Sequence, residues 1–148
     1  MILGSAAETE SCGAACAKLL RAGDIITLSG ALGAGKTTFA RGLLRGLGYA
    51  GEVVSPSFAL VVPYDPPEVG LPVLHVDLYR LGHSEDLTEL GLDDGLAQGA
   101  LIIEWPERLR DGCYPEALAV QFEMIDGQQR RLTASSPPTW KKRWPYPA

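Results

Sequence analysis

The sequence predicts an α/β sandwich built on a largely parallel sheet. Three observations carry that expectation. A glycine-rich loop, Ser29-Gly30-Ala31-Leu32-Gly33-Ala34-Gly35-Lys36-Thr37-Thr38, sits between an apolar run and a helical pattern. Two later apolar runs, Val73–Val76 and Leu101–Ile103, each end in a carboxylate, Asp77 and Glu104. Near the end, two alternating runs flank Asp126-Gly127, a hairpin signal that adds antiparallel strands at an edge.

The loop fits G-x-x-x-x-G-K-[ST], with Gly30, Gly35, Lys36 and Thr37 at the fixed positions. Glycines let the backbone turn tightly and bring its N–H groups close to phosphate oxygens. The lysine of such a loop reaches the β- and γ-phosphates, and the hydroxyl that follows it binds Mg²⁺. Asp24–Leu28 reads as the buried strand before the loop, and Thr37–Leu47 as the helix after it, with Gly48 as its stop. The expected architecture is therefore a three-layer, P-loop NTPase-like sandwich.

The remaining elements follow in order. Ser5-Ala6-Ala7-Glu8 has the form of a capping box and predicts a helix to about Ala22, ended by Gly23. Cys12, Ala15, Cys16, Leu19 and Leu20 form its buried stripe. Ser55-Pro56-Ser57 reads as a turn, and Ala59–Tyr64 as a strand. Asp65–Pro72 is a Pro- and Gly-rich loop. Val73–Asp77 is a strand that Leu78–Leu81 continues. Ser84 caps a short helix that Gly91 closes, and Leu92–Gln98 is another. From Ser135 the chain is Pro-rich and expected to lack regular structure. One domain, residues 1–134, is thus followed by a basic tail, residues 135–148, whose last eight residues are expected to be dispensable for folding.

Composition narrows the function. The 148 residues carry a net charge of −5, which argues against a nonspecific nucleic-acid coat. The charge is uneven: the chain up to Asp126 carries −10 and the last 22 residues +5. No apolar run is long enough to cross a membrane, and no secretory signal opens the chain, so the cytoplasm is expected. Cys12, Cys16 and Cys113 form no disulfide framework or metal pattern. The chain contains no asparagine, whereas guanine recognition in GTPases uses an Asn-Lys-x-Asp motif, so ATP is the expected nucleotide.

A phosphate-binding loop needs an acidic partner for Mg²⁺ and a group to orient the nucleophile. Asp77 and Glu104 compete for these roles on pattern alone. His75 shares the strand face of Asp77 and is read as structural. Trp105 either stacks near a base or packs. Arg80, Arg108, Arg130 and Arg131 are all candidates for a catalytic arginine, and none is singled out.

Taken together, Leu32–Gly42, Ser55-Pro56-Ser57-Phe58, His75-Val76-Asp77-Leu78-Tyr79-Arg80-Leu81 and Ile103-Glu104-Trp105-Pro106-Glu107 resemble the TsaE family. These are bacterial P-loop ATPases required for tRNA threonylcarbamoyladenosine synthesis. The resemblance spans roughly Glu8 to Thr133. It implies that Gly33, Ala34, Gly35, Lys36, Thr37 and Thr38 hold the ATP phosphates, and that Thr37 and Glu104 bind Mg²⁺. It implies that Lys36, Asp77 and Glu104 support catalysis, Asp77 by placing water or the metal's outer ligands. Thr9, Trp105 and the turn at Gln129 are implied to lie by the nucleotide. The implied partners are the TsaD and TsaB proteins, with tRNA met through that complex and no membrane involved. Two departures stand out: Ala31 replaces the family's Asp, and Ser57 replaces its Thr. A small-molecule kinase would share the loop but need an Arg-rich lid, which is not evident. A nucleotide-binding adaptor would not need to keep Thr37, Asp77 and Glu104.

Overall fold

A computed structural model describes residues 1–81, 90–109, 112–144 and 146. The elements in order are β1 (Ile2–Leu3), α1 (Ala6–Ala17), β2 (Ile25–Ser29), α2 (Lys36–Gly46), β3 (Val61–Tyr64), β4 (Val73–Asp77), α3 (Leu92–Gln98), β5 (Ala100–Glu104), a 3-10 turn (Pro106–Arg108), β6 (Leu118–Met124) and β7 (Arg130–Ser135). They form one seven-stranded sheet in the order β1-β7-β6-β2-β5-β4-β3. The four central strands, β6, β2, β5 and β4, run parallel. The pairings of β7 with β6, β1 with β7 and β3 with β4 are antiparallel. The expected sandwich with antiparallel edges is therefore present.

The two-residue period of the strands explains the three layers. Ile26, Leu28, Ala100, Ile102, Val120 and Phe122 face α1 and α2 in one core cluster. Ile25, Val76, Leu101 and Ile103 face the opposite side, with Leu92 of α3. Central parallel strands covered on both faces read as continuous apolar runs, as Ile25–Leu28 and Ala100–Ile103 do.

Helices α1 and α2 pack directly on each other, and glycines set how closely. A Cβ at Gly42 would lie 2.0 Å from Glu10 O, and one at Gly13 would lie 2.2 Å from Phe39 O. Gly13 and Gly42 thus serve close contact between the two helices.

Several expectations are corrected. Helix α1 ends at Ala17 rather than Ala22, because residues 18–24 fold into turns. Leu19 N donates to Cys16 O, and Asp24 Oδ2 accepts from Arg21 N. Strand β4 stops at Asp77 because the Asp77 carboxylate turns the chain, accepting from Tyr79 N at 2.9 Å. Strand β3 begins at Val61, two residues later than expected, since Leu60 adopts φ 67. The helix expected from Ser84 lies outside the described residues, whereas Leu92–Gln98 is helical as read. Strand β1 had no sequence signal.

The end of the chain is packed, although it holds no helix or strand after Ser135 among the described residues. Trp140 and Trp144 belong to the α1/α2 core cluster. Arg143 reaches back to Asp24 through two bonds, 2.7 and 2.9 Å, and to Leu19 O at 2.7 Å. Aromatic burial and this ion pair hold the segment down where composition alone suggested a loose end.

Candidate active site

Parallel pairing places the site. Strands β2, β5 and β4 lie side by side, with Glu104 in register with Leu28 on one side and Asp77 on the other. The loop that follows β2 therefore emerges beside both carboxylates, at the carboxyl edge where open α/β sheets bind ligands.

The loop has the geometry its glycines predict. Gly30, Gly33 and Gly35 take φ of 140°, 77° and 119°, all left-handed values open to glycine. Gly35 caps α2 without a side-chain bond, so its helix N-terminus offers N–H groups to an anion. The loop borders a cleft of about 320 Å³. It is lined by Leu32, Gly33, Gly35, Lys36, Thr37 and Thr38 of the loop and α2, and by Ser55, Ser57, Asp77, Tyr79, Glu104 and Trp105.

Thr37 and Glu104 meet directly. The Thr37 hydroxyl lies 3.0 and 3.2 Å from the two carboxylate oxygens of Glu104. The register thus supports Glu104, over Asp77, as the carboxylate paired with the loop hydroxyl. Both oxygens of Asp77 are otherwise engaged: Ser55 Oγ donates to Oδ2 at 2.9 Å, and Tyr79 N to Oδ1. Asp77 is thereby fixed in the cleft wall, 3% exposed.

The Lys36 ammonium donates to Gly30 O and, at 3.0 Å, to Ala31 O. Ala31 thus contributes its backbone carbonyl to the lysine. Lys36 also lies 4.1 Å from the centroid of the Trp105 ring, a cation–π contact. Trp105 in turn packs on Tyr79, with centroids 4.9 Å apart. Burial lowers the Lys36 pKa, while Glu104, Glu107 and Asp77 oppose that shift in that order.

The other expected residues fall into two groups. Ala34 is a buried residue of the loop and is not on the cleft wall, whereas Trp105 borders the cleft. Thr9 and Gln129 are not on the cleft wall. The Thr9 hydroxyl is buried against Ser5 O, and Gln129 is exposed in the β6–β7 turn, its N–H on Asp126. Sequence reasoning missed the role of His75. Its Nε2 lies 2.6 Å from Glu104 Oε2, so it serves Glu104 rather than Asp77, its neighbour on the strand. Period-two spacing showed the face of His75 but not the strand beside it.

A largely parallel sheet with a phosphate loop leading into α2, and two carboxylates at adjacent strand ends, defines a P-loop NTPase-like protein. A family model described as threonylcarbamoyl adenosine biosynthesis protein TsaE matches residues 3–132, and the chain belongs to the TsaE family. A relative from Treponema pallidum, a tRNA threonylcarbamoyladenosine biosynthesis protein TsaE, is 33% identical over 88% of this chain and 96% of its own. One of the same name from Streptomyces coelicolor is 49% identical over 62% of each chain. The crystal structure of Bacillus subtilis YdiB superposes with a TM-score of 0.76 at 29% identity, covering 96% of this chain and 87% of that one. Among the described residues, no helix is long and apolar enough to cross a membrane.

Proposed function

We propose that this chain binds ATP with Mg²⁺ in the cleft and hydrolyses it in support of tRNA threonylcarbamoyladenosine synthesis. In this reading it works in the cytoplasm on the TsaD–TsaB pair, and meets tRNA only through that complex. The observation that carries the chemistry is the Thr37 hydroxyl on both oxygens of Glu104, beside Lys36 and the loop. A hydroxyl and a carboxylate are the hard oxygen donors that Mg²⁺ takes, and water and phosphate oxygens fill its remaining positions. The donor set therefore fits the ion. When bound, Mg²⁺ neutralises charge on the β- and γ-phosphates.

The protein groups have separable roles. Gly33 to Thr38 offer backbone N–H groups and the α2 dipole to the phosphates. Lys36 supplies a positive charge at the loop. Asp77, fixed by Ser55 and Tyr79, would orient the attacking water. Ser57 keeps a hydroxyl on the cleft wall where the family has Thr.

The pathway assignment rests on family membership and is tested by reconstitution. Repeated rounds of tRNA modification by TsaD and TsaB should require this chain, and Lys36→Ala should fail to support them. Equal multi-round modification with and without the chain would refute the assignment.

A further inference from the structure

We propose that Arg130, although not on the cleft wall itself, is a phosphate-binding residue beside Gly35 at the N-terminus of α2, delivered to the loop by the β6–β7 hairpin. This rests on the nucleotide reading above and adds a residue and a ligand preference to it.

Topology brings the hairpin there. Strand β6 runs parallel to β2, with Gln121 in register with Ser29, so the hairpin leaves the sheet at the same edge as the phosphate loop. Arg130 opens β7 opposite Met124. Alternation along β7 turns Arg130 inward and Arg131 outward. Arg130 Nη1 lies 2.8 Å from where a Cβ on Gly35 would sit, and its Cδ 3.3 Å. The guanidinium thus occupies space that Gly35 leaves open, at the uncapped N-terminus of α2.

Its bonding is incomplete. Arg130 is only 9% exposed, yet its Nε has no hydrogen-bond partner among the described residues. The bond it makes is long, from Nη2 to Gln128 O at 3.5 Å. Other arginines of the chain are placed differently. Arg41 and Arg45 meet Glu10, Arg131 meets Glu123, and Arg143 meets Asp24. Arg130 has no carboxylate within 4.0 Å among the described residues. A buried cation held by one long bond is costly to the fold. An anion at the loop removes that cost, and a planar fork of N–H donors matches phosphate oxygens in pairs. Arg130 adjoins the turn at Gln129 that the resemblance places by the nucleotide, and it brings a side chain of the right charge. The ligand class is a nucleoside di- or triphosphate, since the guanidinium and the helix end together can span adjacent phosphates.

The test is calorimetric titration of the wild type, Arg130→Met, Arg130→Lys and Lys36→Ala with ADP, alongside thermal melting without nucleotide. Met keeps the length and removes the charge. Arg130→Met should melt at or above the wild-type temperature, because it removes a poorly paired buried charge. It should bind ADP roughly 10- to 100-fold more weakly, the effect of losing a charge-assisted bond, and Arg130→Lys should recover part of that loss. ADP binding by Arg130→Met equal to wild type, with Lys36→Ala impaired, would overturn this proposal and leave the nucleotide reading standing. A drop in melting temperature that Arg130→Lys repairs, without a change in ADP affinity, would show a structural role instead. A wild type that binds no ADP or ATP would overturn both.

Discussion

His75 Nε2 lies 2.6 Å from Glu104 Oε2, and both side chains are buried, at 0% and 2% exposure. His75 Nδ1 has no hydrogen-bond partner among the described residues, so the bond to Glu104 is the ring's polar anchor. Together with Thr37, this bond fixes the orientation of the carboxylate assigned to the metal. Partners of that kind position metal ligands and raise affinity. His75→Leu should weaken binding of Mn²⁺, used as a Mg²⁺ probe with ATP, roughly 10- to 100-fold. His75→Gln, which keeps a donor, should recover part of it. Spectroscopic Mn²⁺ titration reads both; unchanged affinity in His75→Leu would reduce the histidine to packing.

Glu104→Gln keeps the shape and leaves an amide oxygen for Thr37, but removes the charge. The Mg²⁺ concentration for half-maximal ATP turnover should rise at least roughly tenfold. A wild-type Mg²⁺ profile would return the metal role to Asp77.

Gly42→Ala tests helix packing against helix propensity. Alanine favours a helix over glycine by about 1 kcal/mol. Here its Cβ would fall 2.0 Å from the backbone oxygen of Glu10, which cannot step aside without moving α1. Overpacking of that kind costs about 1–3 kcal/mol or more, so the clash wins. Urea denaturation should show a net loss of stability, and a gain would mean the helices separate freely.

Deleting residues 141–148 removes Trp144 from the core and Arg143 from Asp24. Stability should fall, contrary to the reading of a dispensable tail. Trp140→Ala alone should cost about 3–5 kcal/mol, the usual range for a buried aromatic in a core. Unchanged urea midpoints for both variants would show the segment is not part of the folded unit.

The pattern of success in reading the sequence has a physical cause. The turn at the glycine-rich loop, the strands ending at Asp77 and Glu104 and the Asp126-Gly127 hairpin were legible because each signal is local. A glycine spacing, an apolar run ending in a carboxylate, or a turn between alternating runs lies within about ten residues of chain. The contacts that complete the site join distant segments. Thr37 meets Glu104, His75 meets Glu104 and Arg130 meets Gly35 only because β5 inserts between β2 and β4 and β6 pairs with β2. No local pattern encodes that order. The seam at Gly13 and Gly42 was not legible, since it exists only when both helices are packed. The four-residue spacing of Trp140 and Trp144 was the available sign that the chain's end is buried, and surrounding prolines and lysines obscured it.

The most direct test of the account is phosphate release from ATP by the purified chain, alone and with TsaD, TsaB and tRNA, with Lys36→Ala beside it. The account predicts weak Mg²⁺-dependent release alone, stimulation by the partners, and neither in the variant. ATP binding without release in any mixture, or release that Lys36→Ala leaves unchanged, would contradict it.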